Sequence, residues 1–421
     1  MTLIAAIEQS HKAMIEGRDV PWLLRQWVER TPDQPFIIWE PFEGKPETLT
    51  YADFNVKVEA VAAALHARGV ALGDRVMLHL DNSPEFVISW FACARVGAVA
   101  VSTNTRSVAR DMIYFADHAR IVAAITQPSF AELVSSSAPG IKFLAVTDNN
   151  AGSPDIVPDG IDHTPFSELL SETAPCPARA TDPFANLGVQ FTSGTTSRPK
   201  AVLWTHANAI WGAQMNAAHM RLSGDDITQV FLPLFHTNAQ SYSMLGSLWV
   251  GGTMVVQPRF SASRFWEVAI RNNCTWCSLI PFCVKALLAQ DPPPDHSFRF
   301  WNPAVRMPEV EEAYGIRTYG WWGMTETITQ GIVGDIDHPG PTRCIGRVAP
   351  GYDIEIRHED GRHIKPGERG LLFIRGVRGV SLFKEYFRNP EANEKAFDAD
   401  GWFETGDVIP MDENGNLFFG D

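Results

Sequence analysis

Apolar and polar positions alternate along the first part of the chain in helical and strand-like patterns. The stretch 51–68 has apolar residues at helical spacing, with Thr50 as a candidate N-cap and Gly69 as a candidate end. Pro84 follows Ser83 at the start of a second candidate helix, where its missing N–H costs nothing. The short apolar runs between the helices are typical of parallel strands buried on both faces: 75–80, 98–101 and 121–126.

The same alternation returns after a connecting stretch at 149–183 that is rich in Pro, Ser, Ala and Asp. The pattern predicts helices and strands in turn through the middle of the chain: 206–220, 229–233, 241–249, 253–256, 261–271, 275–280 and 282–289. Residues 291–308 are Pro-rich and are expected to be irregular. From about residue 340, short β-like runs lie between Gly- and Pro-containing turns, which indicates a small antiparallel sheet or barrel.

These patterns predict an α/β protein with three parts. The first two are parallel-sheet α/β subdomains at 1–183 and 184–338, and the third is a β-barrel subdomain at 339–421. A chain of 421 residues is too long for one hydrophobic core, so a division into subdomains is expected.

A hydroxyl-rich loop joins two predicted strands, 187–191 and 201–204. The nine residues 192–200 hold five hydroxyl side chains, one Gly, one Pro and two cations, and they end at Lys200. Backbone N–H groups in such a loop point inward as a nest, while the hydroxyls and the lysine add donors and positive charge. The loop is therefore a candidate polyphosphate site, and the alternative interpretation is a polar hairpin tip.

The composition narrows the set of partners. Hydrophobic residues make up 45% of the chain and charged residues 20%, which is ordinary for a globular protein. The net charge of −14 argues against attraction to nucleic acid or to an anionic membrane. No apolar run reaches the length of a membrane span, and the N-terminus lacks the basic segment of a secretory signal. We therefore expect a cytoplasmic protein with no nucleic acid partner and no membrane span.

Six cysteines are scattered along the chain, and Cys274 and Cys277 form a single C-x-x-C pair. A zinc site needs a second pair, or histidines at ligand spacing, and neither is near. The interpretation that follows is reduced cysteines in the core.

A second polar cluster, 321–327, follows a candidate strand at 316–319. Ligands bind outside the carboxyl ends of parallel strands, so Glu326 and its neighbouring hydroxyls are suited to Mg²⁺ and phosphate. Trp322 is suited to stacking on a base. The alternative is a surface turn with a buried tryptophan pair.

Two single residues complete the set. Asp407 follows Thr–Gly in a candidate tight turn, where its carboxylate can accept from both hydroxyls of a ribose, although turn-stabilising Asp residues are common. His236 stands just past a predicted strand, and the alternative for a lone histidine is a structural role.

The order and spacing of these four clusters resemble the adenylate-forming superfamily, which includes acyl- and aryl-CoA synthetases, firefly luciferase and the adenylation domains of peptide synthetases. The resemblance covers essentially the whole chain, with specific motifs at 192–200, 322–326 and 401–407 and lesser ones at 343–347 and 367–370. It implies the family's architecture, a layered αβαβα core beside a small antiparallel β-barrel.

The resemblance also implies residue roles. The loop would wrap the β- and γ-phosphates of ATP, Trp322 would stack on adenine, and Asp407 would bind the ribose hydroxyls. Thr325 would touch the α-phosphate, and His236 would stand near the carboxylate being activated. The implied metal ligands are Glu326 and Thr195. The implied catalytic residues are Lys200, His236, Thr325 and Glu326. The implied nucleotide-binding residues are Thr192, Ser193, Gly194, Thr195, Thr196, Ser197, Lys200, Asn302, Pro303, Ala304, Trp322, Gly323, Met324, Thr325 and Asp407. The implied acid pocket comprises Phe231, His236, Asn238, Ser241, Val305, Gly323 and Met324.

The implied reaction is the ATP-dependent activation of a carboxylic acid to an acyl-adenylate, with release of pyrophosphate, followed by thioester formation with coenzyme A. Two anions must approach each other, so the site needs Mg²⁺ and fixed donors where charge builds up. The implied partner is a small-molecule carboxylic acid, and a homodimer is left open.

Three features depart from the family pattern. Ala201 replaces the usual Gly after the loop lysine, and 301–304 reads Trp-Asn-Pro-Ala where Gly-Gly-Ala is common. Family members also continue past Asp421 into a hinge and a mobile C-terminal domain of roughly 100 residues. That domain, which supplies a lysine for adenylation, is expected to be absent here. Residues 1–421 are therefore expected to bind ATP and acid but to turn over slowly.

The pattern also bears on the acid. Amino-acid-activating relatives carry Asp where this chain has His236, so a free α-amino acid is not expected. Acetate-activating relatives carry Trp where this chain has Gly323, so the acid is expected to be larger than acetate. The mostly apolar implied lining favours an aryl, medium-chain or alicyclic acid.

Two other functional classes are alternatives to an acyl-CoA ligase. One is a non-catalytic protein that binds acid or nucleotide with an adenylating fold. The other is a P-loop NTPase or kinase, which is disfavoured because the loop lacks the Gly-x-x-x-x-Gly-Lys-Ser/Thr spacing and Ala201 follows its lysine.

Overall fold

The structure is a computed structural model that describes residues 9, 10, 12–192, 198–291, 293 and 295–420. Within these residues two large sheets and a smaller antiparallel part organise the chain. Helices pack against the sheets. The α-helices span Val20–Arg30, Tyr51–Ala67, Pro84–Val96, Ala109–Ala119, Ala131–Ser137, Phe166–Leu170, His206–His219, Gly246–Val250, Ala262–Arg271, Pro281–Leu288, Pro308–Tyr314 and Pro390–Ala396.

The predicted helix starts are confirmed by their caps. The Thr50 hydroxyl accepts from the Asp53 N–H at 3.1 Å, and the Asp53 carboxylate accepts from the Thr50 N–H in return. The Ser83 hydroxyl accepts from the Phe86 N–H at 3.2 Å, directly before Pro84.

The larger sheet has eight strands among the described residues. In spatial order they are Glu385–Tyr386, Lys200–Thr205, Asn186–Thr192, Val99–Ser102, Arg75–His79, Ile121–Thr126, Phe143–Val146 and Thr164–Pro165. Pairing is parallel from Asn186–Thr192 to the far edge. Asn186–Thr192 and Lys200–Thr205 form an antiparallel hairpin in which Thr192 pairs with Lys200. The two ends of the hydroxyl-rich loop are therefore fixed side by side.

The second sheet has seven strands in the part of the chain that the structure describes. In spatial order they are Arg317–Thr318, Phe300–Asn302, Trp276–Ser278, Ile227–Val230, Thr253–Val256, Pro35–Trp39 and Glu47–Thr50, and only the last pair is antiparallel. Both sheets draw strands from either side of residue 183. The domain boundaries at 183 and 338 stay a prediction.

Short antiparallel strands follow. One group is Trp321–Trp322, Ile332–Val333, Cys344–Val348 and Leu417–Phe418, and the other is Asp353–Arg357, Arg369–Arg375 and Phe403–Pro410. Asn149–Asn150 and Ser153–Pro154 form a separate two-residue ladder. The predicted fold class, parallel-sheet α/β layers with a small antiparallel part, is confirmed.

Two local expectations were wrong. Residues 291–308 are not wholly irregular, because Phe300–Asn302 is a strand of the second sheet and its aromatic side chains are fully buried. The helix expected at 241–249 begins earlier, as a π-helix at Asn238–Leu245 that continues into Gly246–Val250. Such π-helical segments often occur at functional sites.

All six cysteines are free and buried, as predicted, and burial raises the pKa of the Cys93 thiol to about 12. Among the described residues no group of three or more His, Cys, Asp and Glu side chains is placed to hold a metal ion. In the same residues, no helix has both the length and the apolar character needed to cross a membrane.

Candidate active site

Lys200, at the end of the hydroxyl-rich loop, lies against Tyr386. Its Nζ is 4.6 Å from the centre of the Tyr386 ring, a cation–π contact. The ring is held there because Glu385–Tyr386 adds an edge strand to the loop hairpin, with Val202 paired to Tyr386. A cavity of about 640 Å³ opens beside both residues and is also lined by Arg198. The loop residues Ser193, Gly194, Thr195, Thr196 and Ser197 lie outside the described residues.

Glu326 is the buried carboxylate of the site, with 3% of its surface exposed. Its Oε1 accepts from the Tyr386 hydroxyl at 2.9 Å, and its backbone carbonyl accepts from the Phe383 N–H at 2.8 Å. Its Oε2 is buried and has no hydrogen-bond partner among the described residues. Burial raises the pKa of Glu326, and the Tyr386 hydrogen bond and the Lys200 charge only partly oppose that rise.

This carboxylate fits a divalent cation. An anionic oxygen that is buried and unpaired is costly unless a positive partner meets it. Mg²⁺ prefers one or two carboxylates together with phosphate oxygens, and Glu326 stands beside the lysine that ends the candidate phosphate loop. Thr195, the other implied ligand, is outside the described residues.

Trp322 and Asp407 meet at the other end of the site. The Trp322 indole N–H donates to Asp407 Oδ2 at 2.8 Å. Trp322 is buried on its short strand, whereas Asp407 is exposed after the left-handed turn at Gly406. The Thr405 hydroxyl accepts from the Asp407 N–H at 3.1 Å and fixes the turn. Two motifs that are 85 residues apart in sequence therefore share one hydrogen bond.

Thr325 lies between these two ends. It opens a single 3₁₀ turn, Thr325–Thr327, and its carbonyl accepts from the Trp204 indole N–H at 2.9 Å. Trp204 belongs to the loop hairpin. The antiparallel part and the larger sheet are thereby joined directly at the site.

The residue that follows His236 is held by a network of buried amide side chains. The Thr237 hydroxyl donates to Gln190 Oε1 at 2.8 Å, and Gln190 Nε2 donates to Gln240 Oε1 at 2.8 Å. Gln240 also donates to the Ser102 hydroxyl at 3.3 Å. His236 itself is exposed, yet the protein around its ring desolvates it and lowers its pKa. The ring is therefore neutral at pH 7.

The segment 302–304 reaches the site through its backbone. The Asn302 carbonyl accepts from the Trp321 indole N–H at 3.2 Å, and the Ala304 carbonyl accepts from the Trp321 N–H at 2.8 Å. Pro303 is buried between them. Ala304 has φ +73°, a left-handed conformation that favours glycine.

The implied acid-pocket residues are in different environments. Phe231 packs in the core against Phe260 and Phe265, with ring centres 5.3 and 5.6 Å away. The Ser241 hydroxyl accepts from Asn216 Nδ2 at 3.1 Å. Gly323 faces Tyr242, because a Cβ on Gly323 would lie 2.4 Å from the tyrosine hydroxyl.

The other members of this set lie nearer the antiparallel part. Val305 and Met324 are half-buried and pack against its core. Asn238 is half-buried and is the first residue of the π-helix, two residues after His236. The assignment of all these residues to a pocket stays a prediction.

Sequence reasoning missed Tyr386, Tyr242, Gln190 and Asn216. Gln190 and Asn216 are polar residues inside otherwise apolar segments, a pattern that could have marked them as members of buried networks. Tyr386 and Tyr242 had no comparable signal, because their partners are distant in sequence.

Comparisons with known proteins identify the family of the chain. The family model described as AMP-binding enzyme matches residues 24–387. A crotonobetaine/carnitine–CoA ligase of Salmonella agona is 33% identical over 408 residues, which cover 92% of this chain and 77% of that protein.

Solved structures match as well. The inhibitor-bound N-terminal domain of FACL13 from Mycobacterium tuberculosis is 26% identical, with a TM-score of 0.83 over 96% of this chain and 99% of that one. The O-succinylbenzoate coenzyme A synthetase from Bacillus subtilis, in complex with AMP, is 25% identical, with a TM-score of 0.80 over 95% of this chain and 97% of that one.

Proposed function

The chain belongs to the AMP-binding enzyme family, and on that premise we propose that it activates a carboxylic acid with ATP and transfers the acyl group to coenzyme A. The acid carboxylate attacks the α-phosphorus of ATP, the bond to the pyrophosphate oxygen breaks, and an acyl-adenylate forms. The thiol of coenzyme A then attacks the acyl carbon, and AMP leaves with the electron pair of the acyl–oxygen bond. One relative reported above is named a CoA ligase and another a coenzyme A synthetase, which supports this reaction class.

One observation carries the proposal. Tyr386 holds Glu326 by a hydrogen bond and Lys200 by its ring, so an anionic oxygen without a partner stands beside the cation that ends the candidate phosphate loop. This arrangement suits a metal–polyphosphate ligand better than a neutral one. Trp322 and Asp407 supply a ring and a carboxylate for a nucleoside at the other end.

Each group has a role that follows from its environment. Bound Mg²⁺ would neutralise charge on the phosphate oxygens as a Lewis acid, with Glu326 as its protein ligand. Lys200 places a positive charge at the loop, where charge builds up on the leaving pyrophosphate. His236 is neutral, so it can orient the acid carboxylate by a hydrogen bond without forming an ion pair that would weaken the nucleophile.

ATP–pyrophosphate exchange tests the proposal. With Mg²⁺ and a panel of acids, we expect acid-dependent exchange that falls at least 100-fold in Lys200→Ala, on the scale of losing one charged transition-state donor. Lys45→Ala removes an exposed lysine elsewhere and should leave exchange unchanged. Acid-independent exchange, or equal exchange in both variants, would contradict the proposal.

The acid panel should separate the substrate classes. Aryl, medium-chain and alicyclic acids are proposed substrates, and carnitine and crotonobetaine are included because the names of relatives contain them. Glycine and acetate should give no exchange. A preference for either would overturn the proposed substrate range.

Thioester formation is a separate measurement, because the chain spans 77% of the length of the Salmonella agona ligase. Acyl-CoA release by residues 1–421 should be slow compared with nucleotide binding. Rapid turnover by these residues would contradict that prediction.

A further inference from the structure

The loop that carries His236 joins a strand of the second sheet, Ile227–Val230, to the π-helix. The backbone N–H of His236 donates to the Pro233 carbonyl at 3.0 Å, and the His236 carbonyl accepts from the Gln240 N–H at 3.0 Å. The ring itself packs on the Phe235 ring, with centres 4.6 Å apart. The place of the His236 ring therefore follows from where the backbone of this loop is held.

Gln190 approaches the loop from the larger sheet. It lies in the strand Asn186–Thr192, is 4% exposed, and pairs with Ser102 on the neighbouring parallel strand. Side chains two residues apart on a strand project from the same face, so Gln190 and Thr192 share one face of the sheet. Thr192 begins the hydroxyl-rich loop and pairs with Lys200 at its end. Gln190 is thus two residues from the candidate phosphate loop.

Both polar atoms of the Gln190 side chain are used to hold the segment around His236. Its Oε1 accepts from the Thr237 hydroxyl at 2.8 Å, directly after His236. Its Nε2 donates to Gln240 Oε1 at 2.8 Å, and Gln240 Nε2 donates in turn to the Leu234 carbonyl at 3.1 Å, two residues before His236. The chain is therefore held on both sides of the histidine.

A second side chain of the larger sheet binds the same loop. Asn82 is buried and follows the strand Arg75–His79. Its Nδ2 donates to the Leu232 carbonyl at 2.9 Å, and its Oδ1 accepts from the Leu234 N–H at 2.7 Å. The loop belongs to the second sheet by sequence, but the sheet that carries the phosphate loop fixes its position.

Hydrogen bonds of this kind restrict position more than apolar packing does. Each bond has a preferred length and angle, whereas an apolar contact tolerates sliding. The reaction proposed above needs the acid carboxylate and the phosphorus of ATP at near-attack distance, and an error of about 1 Å can cost about 100-fold in rate. A rigid link between His236 and the strand of the phosphate loop meets that requirement.

We propose that Gln190 is a positioning residue, which acts through the Thr237 hydroxyl to hold His236 at a fixed place relative to the strand that leads into the candidate phosphate loop. The inference rests on the proposed function, since it takes His236 to orient the acid. Gln190 itself does not touch the substrate. Its loss should therefore affect the use of the acid rather than that of ATP, and the effect should require the histidine.

Thr237→Val tests the link, because it replaces the hydroxyl by a methyl group and keeps the shape of the side chain. In ATP–pyrophosphate exchange we expect kcat/KM for the acid to fall about tenfold, the scale of one lost buried hydrogen bond. The KM for ATP should stay unchanged. Thr237→Ser keeps the hydroxyl and should retain the wild-type kcat/KM. An unchanged kcat/KM in Thr237→Val would overturn the inference.

Thr228→Val is the matched control for damage to the fold. The Thr228 hydroxyl is also buried in the second sheet and is 2.8 Å from the Ser247 hydroxyl. The same substitution there should lower stability without changing exchange. An equal fall in both variants would show general loosening and overturn the inference. If Thr237→Val does not fold, Gln190→Met removes the other partner of the same hydrogen bond and should give the same result.

A double-mutant cycle tests whether the effect passes through the histidine. In a His236→Ala background, Thr237→Val should cause less than about a twofold further loss, because the group that it positions is already absent. A full tenfold further loss in that background would mean that Thr237 acts on something else, and would overturn the inference.

Nuclear magnetic resonance of labelled histidine separates this inference from the proposed function, because it needs no turnover. Burial lowers the pKa of His236 below its ordinary value of 6.5. Gln190→Met should loosen the loop and move that pKa toward 6.5, whereas Thr228→Val should leave it unchanged. A moved pKa in a protein without exchange contradicts the proposed function and keeps the structural link. Acid-dependent exchange with an unmoved pKa and an unchanged kcat/KM overturns the inference alone.

Discussion

The nucleotide end of the candidate site and its acid end are built from different kinds of side chain. At the nucleotide end, Lys200, Glu326 and Asp407 are charged and each is held by an aromatic residue, Tyr386 or Trp322. At the acid end the polar side chains are neutral, and several buried atoms, such as those of Asn238, have no partner among the described residues. The charged side chains of the nucleotide end are thus held by contacts within the protein, without a ligand.

This difference assigns separate tasks to the two ends. The charges of Lys200 and Glu326, both held by Tyr386, are proposed to act on the phosphates, which are the same for every acid, and so they should govern the rate with all substrates. Neutral hydrogen-bonding groups discriminate between acids without changing the chemistry at phosphorus. Substitutions at the two ends should therefore change different quantities.

The largest expected effect is that of Glu326→Gln. The amide keeps the hydrogen bond from Tyr386 but cannot ligate a divalent cation as an anion, so ATP–pyrophosphate exchange should fall about 100-fold or more. The fall should be equal for hydroxylated and apolar acids. Glu359→Gln, which changes an exposed carboxylate, is the control and should have no effect. A fall confined to one class of acid would contradict the separate roles assigned to the two ends of the site.

Tyr386 should have the next largest effect, because it touches both charged groups. Tyr386→Phe keeps the ring under Lys200 and loses the hydrogen bond to Glu326, so the Mg²⁺ concentration for half-maximal ATP binding should rise about tenfold. Tyr386→Leu loses both contacts and should be weaker still. Titration of ATP with and without Mg²⁺ measures this, and two variants of equal affinity would show that the ring contact contributes nothing.

The buried carboxylate of Glu326 should lower the stability of the folded protein at neutral pH. The pKa of Glu326 is raised by burial, so the folded protein binds a proton here more tightly than the unfolded chain does. The stability from that proton is complete below the ordinary value of 4.5 and is lost as the pH rises through the higher pKa of the folded state. Glu326→Gln should then be more stable than wild type at pH 7, by roughly 1–3 kcal/mol.

Denaturant unfolding at several pH values checks this. The advantage of Glu326→Gln should shrink as the pH falls and be lost below 4.5, where the wild-type carboxyl is protonated in both the folded and the unfolded state. An advantage that does not depend on pH would mean that the unpaired charge is not its source.

The smallest expected effect concerns Ala304, at the border of the two ends. A left-handed conformation costs alanine about 1–2 kcal/mol, and glycine avoids this cost. Glycine also makes the unfolded chain more flexible, which destabilises the folded state by about 0.5–1 kcal/mol. Ala304→Gly should therefore stabilise the protein by about 0.5–1 kcal/mol. Ala60→Gly, in the interior of the helix Tyr51–Ala67, should destabilise it by about 1 kcal/mol. If both variants lose stability, the strain at residue 304 is absent.

Prediction from the sequence succeeded where a local pattern carried the information. The caps at Thr50 and Ser83 follow from neighbouring residues, and so does the hairpin around the hydroxyl-rich loop, whose two strands are apolar and adjacent. It failed at Phe300–Asn302, because a three-residue strand is too short to show a period and only burial in the second sheet defines it. The start of the π-helix at Asn238 was also missed. A π-helix has i→i+5 hydrogen bonds, so its apolar residues do not follow the α-helical spacing on which the prediction was based.

By itself, the sequence determined the fold class, the family, and the charged residues of the candidate nucleotide end, because motifs such as 192–200, 322–326 and 401–407 are contiguous and each type of side chain has a definite chemistry. Only the tertiary structure decided which of these residues touch. Tyr386 reaches Glu326 across 60 residues, and Trp322 reaches Asp407 across 85. The contacts of the neutral side chains at the acid end also depend entirely on the tertiary structure. Whether a buried amide is satisfied depends on its neighbours in space, and those neighbours come from the π-helix, the second sheet and the antiparallel part together.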